Sequence, residues 1–409
     1  MKIFLIFLNL PPKTNKLLIN DMSGIYIHIP FCVSKCAYCN FYSLASKAKT
    51  DDYVETLKKE IAVRNNYLNG EEVETIYFGG GTPSILSSNH IGTILETIDK
   101  HFNIIPNPEI TLEANPDTID KEKILSLKKT GINRVSIGIQ SFNDEDLKYL
   151  SRRHDSKHAL QVIDDLKDAG IEKINLDLIY GIPTLTEKSW SKNLDIFFST
   201  GITHLSAYAL TVEPKTILGQ KIEKGELQDV DEDETIRHYK ILTERARAHG
   251  FEHYEISNFA QEGCMSRHNS IYWKGGEYLG LGASAHSYDG VSRQWNVANL
   301  TKYIQLVEVA RSQGRKVAES EEIAELYYER EILTTDDRYN EYVMTSLRTS
   351  WGCDIEKISK DYGESYSEHF LKNIKKHLNS EIIFRKDNNF ILTDEGMLFA
   401  DGIAAEVFV

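Results

Sequence analysis

The sequence predicts an α/β chain: a partial, six-stranded (β/α)6 barrel followed by a small helical, winged-helix-like C-terminal domain. Three observations carry this expectation. Six short apolar segments between Ile25 and Leu210 alternate with stretches of helical period, the pattern of a parallel sheet joined by right-handed crossovers. The segments look like near-continuous apolar runs, as in strands covered on both faces. Polar and glycine-rich residues fall at or near the C-terminal end of each strand, the rim where β/α barrels build their sites.

The first strand, 25–29, runs straight into a cysteine-rich loop. Residues 51–68 form an amphipathic helix with Val54, Leu57, Ile61 and Leu68 on one side. Strand 73–78 leads into Gly79-Gly80-Gly81-Thr82-Pro83, and a helix follows over 89–102. Strand 109–114 ends in Glu113-Ala114-Asn115-Pro116, and the next helix, from Thr118, stops at Gly131, a suitable C-terminal cap. Strand 134–139 precedes Gln140-Ser141-Phe142, after which Asn143 and its acidic neighbours suit a helix start. Helix 157–169, strand 173–180 with Asp177, helix 186–198, strand 204–210 and helix 233–249 complete the series.

Cys32, Cys36 and Cys39, three of the five cysteines, stand at C-x3-C-x2-C spacing directly after the first strand. Three thiolates on one short loop can hold three corners of a cubic iron–sulfur cluster, because soft sulfur favours such assemblies. One iron is then left open to bind and activate a small molecule. A structural zinc site would need four closed ligands. Cys264 and Cys353 are far along the chain in other contexts, and His28 falls inside the strand pattern.

The 409 residues suffice for a large core and more than one domain. A formal net charge of −14 argues against non-specific nucleic-acid binding and against docking on anionic membranes. An odd cysteine count with three clustered points to a reducing compartment, and so to the cytoplasm. Residues 1–10 are apolar behind Lys2, but they lack a small-residue cleavage site and are too short to span a bilayer. Met22, just before the first strand, would make a natural start, so residues 1–21 are expected to be a flexible or mis-called extension. The expected divisions are 22–250 for the barrel, 251–309 for a connecting segment and 310–409 for the C-terminal unit.

At the rim, the glycine-rich run lets a ligand approach main-chain groups closely, and it lacks the Lys-Ser/Thr ending of a Walker loop. Glu113 can accept from an ammonium or a ribose, Arg152 can pair with a carboxylate, and Gln140 and Asp177 offer further polar partners. The stretches Y-I-H-I-P-F-C, G-G-G-T-P, E-A-N-P, G-I-Q-S-F, D-L-I-Y-G-I-P and Y-A-L follow one another over residues 24–210. In that order they resemble the radical S-adenosylmethionine (SAM) superfamily, and specifically its coproporphyrinogen dehydrogenase-like branch. The resemblance implies a 4Fe–4S cluster on Cys32, Cys36 and Cys39, with SAM chelating the open iron and cleaved to a 5′-deoxyadenosyl radical. It also implies SAM contacts from Tyr26, Tyr38, Gly81, Thr82, Glu113, Gln140, Arg152, Asp177 and Ala209.

Two sub-branches share these motifs. The oxygen-independent coproporphyrinogen dehydrogenases, radical decarboxylases of porphyrin biosynthesis, usually carry a further cysteine two places after the third. Here that position is Phe41, which resembles the HemW-type haem chaperones. A second stretch, Y-E-I-S-N-F-A at 254–260 followed by R-H-N-S-I-Y-W at 267–273 and Y-L-G-L-G-A-S-A-H at 278–286, agrees. Read from the residues, His268 is either an axial haem ligand or a hydrogen-bonded histidine in an aromatic core. Tyr272 and Trp273 could pack on a porphyrin. H-N-x-x-Y-W resembles the haem-binding motif of HemW-type proteins and so favours His268 as ligand, ahead of Cys264 and His286. The implied role is binding haem and transferring it to an acceptor haemoprotein, without radical turnover as its necessary purpose. The implication leaves room for membrane-bound acceptors and for a second copy of the chain as partners.

In the C-terminal unit, 321–333, 340–349, 354–361 and 364–378 look helical, and Lys386-Asp387-Asn388 lies between two β-like runs as a hairpin turn.

Overall fold

The computed structural model describes residues 23–312 and 327–409. The expected extension at 1–21 and residues 321–326 of the helix expected over 321–333 lie outside the described residues.

The alternation is present throughout the first part: β1 (Ser23–Ile29), α1 (Thr50–Val63), β2 (Glu72–Gly80), α2 (Ser88–His101), β3 (Asn103–Ala114), α3 (Lys121–Lys129), β4 (Arg134–Gln140), α4 (Asp144–Tyr149), α5 (Ser156–Asp168), β5 (Lys173–Tyr180), α6 (Glu187–Ser199) and β6 (His204–Ala209). Short α7 (Ile217–Glu223) and α8 (Glu232–Ala248) follow. The helix starts are set by side-chain caps, which satisfy amides that have no intrahelical partner. Ser87, Asp120, Asn143, Asp155 and Asp231 cap α2, α3, α4, α5 and α8, and Thr186 opens α6 with a capping box. Strands β1 to β6 pair in parallel and in chain order. They curve into a partial barrel whose first and last strands do not meet.

The strands alternate rather than running apolar on both faces, which corrects the sequence expectation. Ile25, Ile27 and Ile29, with Ile76 and Phe78, Val135, Ile137 and Ile139, and Leu176 and Leu178, join the helices in one apolar core. The positions between them face the other way: Tyr26 bonds His28, Ser136, Asn175 and Asp177 bond one another, Thr75 bonds His268 and Tyr77 bonds Glu113. The lumen of this barrel is therefore polar and aromatic.

The segment expected as a connector adds to the same sheet. β7 (Glu252–Glu255) and β8 (Asn258–Ala260) extend it antiparallel beyond β6. Helix α9 (Arg267–Lys274) is followed by β9 (Glu277–Leu281), which runs parallel to β1 on its free side. β10 (His286–Tyr288) and β11 (Ser292–Asn296) continue outward, then come α10 (Leu300–Ser312) and β12 (Tyr328–Ile332) on the edge. Among the described residues the sheet has twelve strands, ordered β12-β11-β10-β9-β1-β2-β3-β4-β5-β6-β8-β7. Residues 328–332 are thus strand, not the helix expected there.

The extension is tied to the barrel by Glu60 of α1, which is fully buried. Its carboxylate accepts from Gly282 N at 2.8 Å, Asn296 Nδ2 at 2.7 Å and Tyr303 Oη at 2.5 Å. The C-terminal unit comprises α11 (Thr335–Leu347), β13 (Cys353–Asp354), α12 (Ile355–Tyr362), α13 (Glu364–Asn379), β14 (Ile383–Lys386), β15 (Asn389–Leu392), α14 (Asp394–Met397) and α15 (Ala400–Ala405). β14 and β15 form the expected hairpin about Asp387, which sits at φ 53°.

Candidate cofactor site at the barrel mouth

The chain leaves β1 at Ile29 and loops back, pinned by Cys32 N to Leu44 O at 2.9 Å and Leu44 N to Pro30 O at 2.7 Å. The three free thiols lie on this loop. Its base rests on the glycine run after β2: Gly81 N donates to Ile29 O and Thr82 N to Phe31 O, each at 2.8 Å. A Cβ on Gly81 would come within 2.7 Å of Phe31 O, 2.8 Å of Ile29 O and 3.1 Å of Cys32 Sγ. Glycine is needed there for close approach of two backbones. On the far side, Leu218 N of α7 donates to Ala37 O at 2.8 Å.

Two sulfurs receive hydrogen bonds. Thr82 Oγ1 donates to Cys32 Sγ at 3.5 Å, and Arg152 Nη1 donates to Cys36 Sγ at 3.2 Å. Asn115 joins the two donors, giving Nδ2 to Thr82 Oγ1 at 3.1 Å and accepting from Arg152 Nη2 at 2.6 Å. The same Nη2 reaches Gly138 O at 2.8 Å. Arg152 Nε is buried and has no hydrogen-bond partner among the described residues. Burial pushes the phenol pKa of Tyr38 up, against the opposing influence of the Arg152 charge.

Deeper in the lumen, Glu113 accepts from Tyr77 Oη at 2.8 Å and Gly80 N at 3.1 Å. Burial pushes its pKa up to about 7, against the opposing effect of those two bonds. Asp177 accepts from Asn175 Nδ2 at 2.6 Å and Ser136 Oγ at 3.2 Å, and burial raises it to about 6. Neither carboxylate has a cationic side chain in an ion pair among the described residues. From Asp177 the bonds continue through Asn175 to Ser206 and His204, then to Asn258 and Tyr254 of the added strands. That places the Y-E-I-S-N-F segment in the wall of the lumen.

Each expected site residue can now be placed. Gly81 and Thr82, Glu113, Gln140 and Ala209 stand at the C-terminal ends of β2, β3, β4 and β6. Gln140 holds a left-handed φ of 69°, a conformation that costs a non-glycine residue energy and collects at ligand sites. Tyr26 and Asp177 lie within β1 and β5, a layer below the rim, and Tyr26 Oη bonds His28 Nδ1 at 3.0 Å. Asn115, Tyr77, Ser136 and Asn175 were not singled out from the sequence. The signal that would have found them is the two-residue period of polar positions along the strands.

His268 lies elsewhere. It sits at the level of Gly24, Thr75 and Glu109, which share one register row at the N-terminal side of the sheet. At about 3.3 Å per residue, Gly24 is roughly 16 Å along the strand from Ile29. Helix α9 closes this lower end, its first amides capped by Glu109 Oε1 at 2.9 Å to Arg267 N. His268 is 1% exposed. Its Nδ1 bonds Thr75 Oγ1 at 2.7 Å and its Nε2 bonds Tyr272 Oη at 2.9 Å. Burial drives its pKa down to about 3. In this arrangement neither ring nitrogen is available to an iron. His28 is engaged in the same way, by Tyr26 Oη and Tyr42 O, and offers no fourth ligand to the thiol loop.

Among the described residues no three His, Cys, Asp or Glu side chains are gathered at metal-ligand distance. The fit to a cluster rests on the donor set, three soft ligands on one loop with hydrogen bonds aimed at two sulfurs, which favours the thiolates. The fit to SAM rests on the partnerless Arg152 Nε and on two buried carboxylates that lack a cation.

Residues 26–196 match the radical SAM superfamily, and residues 333–399 match the HemN C-terminal domain. The chain is similar to the heme chaperone HemW of Bacillus subtilis, 32% identical over 385 residues that cover 93% of this chain and 98% of that one. It is 38% identical to the heme chaperone HemW of Escherichia coli over 265 residues, 64% of this chain and 69% of the other. Its fold is that of the E. coli radical SAM enzyme coproporphyrinogen III oxidase (HemN), with a TM-score of 0.80, 23% identity and coverage of 95% and 90%. By sequence along nearly its whole length, by domain order and by fold, the chain belongs to the HemW family of the radical SAM superfamily.

Proposed function

We propose that this chain is a haem chaperone: it binds haem, carries a 4Fe–4S cluster with SAM, and passes the haem to an acceptor haemoprotein. The observation that carries this reading is the match to a protein named as a heme chaperone along 93% of the chain. Phe41 agrees with it. That side chain is 71% exposed beside the thiol loop, at the place where the coproporphyrinogen dehydrogenase sub-branch would have a further cysteine.

In this reading Cys32, Cys36 and Cys39 hold the cluster, and the bound cluster supplies an electron to SAM. Arg152 orients the cysteine loop through Cys36 and turns its free Nε toward a carboxylate. Glu113 and Asp177 take the cationic and hydroxyl groups of the ligand, and Gly79 to Thr82 let its main-chain-like part approach the strand end. Tyr26, Tyr38, Gln140 and Ala209 line the same mouth. The haem role expected for His268 would require one of its two buried hydrogen bonds to open.

The test is haem titration of the anaerobically reconstituted chain, followed by transfer to an apo-haemoprotein. Stoichiometric uptake and delivery are expected. Turnover of coproporphyrinogen III to protoporphyrinogen, with SAM and a reductant, would overturn the chaperone reading in favour of an enzyme.

A further inference from the structure

We infer that Asn115 is a positioning residue for the iron–sulfur cluster: its side chain aims the Thr82 hydroxyl at Cys32 and the Arg152 guanidinium at Cys36, and the two hydrogen bonds raise the reduction potential of the cluster. This role rests on the cluster reading proposed above and names the residue that sets how readily that cluster gives up an electron.

Asn115 stands one residue past the end of β3, between the two donors. Its Nδ2 donates to Thr82 Oγ1 at 3.1 Å, and its Oδ1 accepts from Arg152 Nη2 at 2.6 Å. The amide cannot be turned the other way, because a guanidinium has only donors to offer and needs the oxygen. With Nδ2 donating into it, the Thr82 hydroxyl sends its single hydrogen onward, and Cys32 Sγ receives it at 3.5 Å. On the other side, Arg152 Nη2 is held between Asn115 Oδ1 and Gly138 O. The fork is planar and rigid, so fixing Nη2 also fixes Nη1, and Cys36 Sγ accepts from it at 3.2 Å. One amide therefore governs a donor on each of two cysteines.

The surroundings hold this amide in place. Asn115 O accepts from Thr118 N at 3.0 Å, and Asn115 N donates to Thr118 Oγ1 at 3.3 Å. Thr118 Oγ1 in turn bonds Ser84 Oγ at 2.6 Å. The turn after β3 is thereby tied to the loop after β2 that carries Thr82. Gly138 of β4 forms the floor. A Cβ there would stand 3.0 Å from Asn115 Oδ1 and 3.4 Å from Arg152 Nη2, so glycine makes room for the pair.

Reduction adds negative charge to an iron–sulfur cluster and its thiolates. Donors aimed at the sulfurs stabilise that charge more than they stabilise the oxidised state, so each raises the potential. An electron on the cluster is then held more firmly and its passage to SAM is less favourable, which suits the carrier role proposed above.

The experiment is a potentiometric titration of the anaerobically reconstituted full chain without SAM, followed by electron paramagnetic resonance. Wild type, Thr82→Val, Asn115→Asp and the double variant are compared, beside iron and sulfide analysis. Asn115→Asp keeps the size of the side chain and the acceptor for Arg152. It gives the Thr82 hydroxyl a carboxylate, a better acceptor than sulfur, and so diverts that hydrogen from Cys32. All four proteins are expected to hold the wild-type amount of iron. At a fixed solution potential, Thr82→Val should lower the ratio of reduced to oxidised cluster about threefold. Asn115→Asp, which loses the same bond and adds a charge, should lower it about tenfold. Thr82→Val should have no further effect in the Asn115→Asp background, because the bond it would remove is already gone. If wild type assembles no cluster, the cluster reading itself falls, and this role with it. If wild type assembles one and Asn115→Asp leaves the midpoint unmoved, or Thr82→Val shifts it equally in both backgrounds, the positioning role falls while the cluster reading stands. Loss of iron in Asn115→Asp, with an unchanged midpoint in the cluster that remains, would make Asn115 a structural residue only and also overturn it.

Discussion

A methyl group on Gly81 has nowhere to go, because backbone oxygens of Phe31 and Ile29 and the sulfur of Cys32 already surround the position. Gly81→Ala must push the cysteine loop off the end of β2, at a cost of about 1–3 kcal/mol. The expected result is a severalfold loss of iron and sulfide after reconstitution with the secondary structure retained, measured by metal analysis beside circular dichroism. Glu113 makes a second prediction at this scale. Its carboxyl, ordinarily near 4.5, is raised by burial to about 7 in the folded chain. Folded and unfolded states are both protonated at low pH, and the folded state keeps its proton longer. The stability this group contributes is therefore present below its unfolded pKa and is lost as pH rises toward 7. A cationic ligand prefers the ionised form, so SAM affinity should rise between about pH 6 and 8. Glu113→Gln should flatten that rise, as calorimetry at several pH values would show.

Among the elements, α9 closes the lower end of the barrel, with His268 the side chain it places under Tyr77. Replacing His268 by Ala removes its bonds to Thr75 and Tyr272 and leaves a void under Tyr77, whose ring stacks on the imidazole at 4.9 Å. The expected cost is about 2–5 kcal/mol of stability, read from urea unfolding. No change there would mean that α9 is not a structural plug. The edge strand β12 shows a different economy. Its Glu329, Arg330 and Glu331 are exposed, and charges on an edge discourage pairing with another chain. The same charged run looked helical in sequence. It is a strand because β11, a distant segment, supplies its hydrogen-bond partners.

For the whole molecule, the C-terminal unit is fastened at several places, among them an ion pair of Arg247 with Asp394 and a β-bridge of Thr349 with Glu255. Arg293 grips Glu341, Ser350 N donates to Tyr254 O at 3.0 Å, and Tyr239 Oη donates to Asp394 O at 3.2 Å. Arg293→Ala removes the charged contact to α11 and the cation–π contact over Tyr288. Limited proteolysis between β12 and α11 should become severalfold faster, while the barrel resists as before. Equal cleavage rates would show that the remaining contacts suffice. Among the described residues no helix is long and apolar enough to cross a membrane.

The sequence alone determined the strand–helix order, the place of the thiol loop after β1, the rim positions of Glu113, Gln140 and Ala209, and the C-terminal hairpin. Each is a local property: periodicity, caps, turn residues and ligand spacing act over a few neighbouring positions. Tertiary structure decided the rest. Asn115, Tyr77 and Asn175 became parts of a site only when register put them on one face of a curved sheet. His268 and His286 both stand in aromatic, glycine-flanked stretches with little local difference between them. One is sealed beneath the lumen by Thr75 and Tyr272, and the other is left open beside Trp295. Which imidazole keeps a free nitrogen depends on what packs over it, and those partners come from segments far away in the chain.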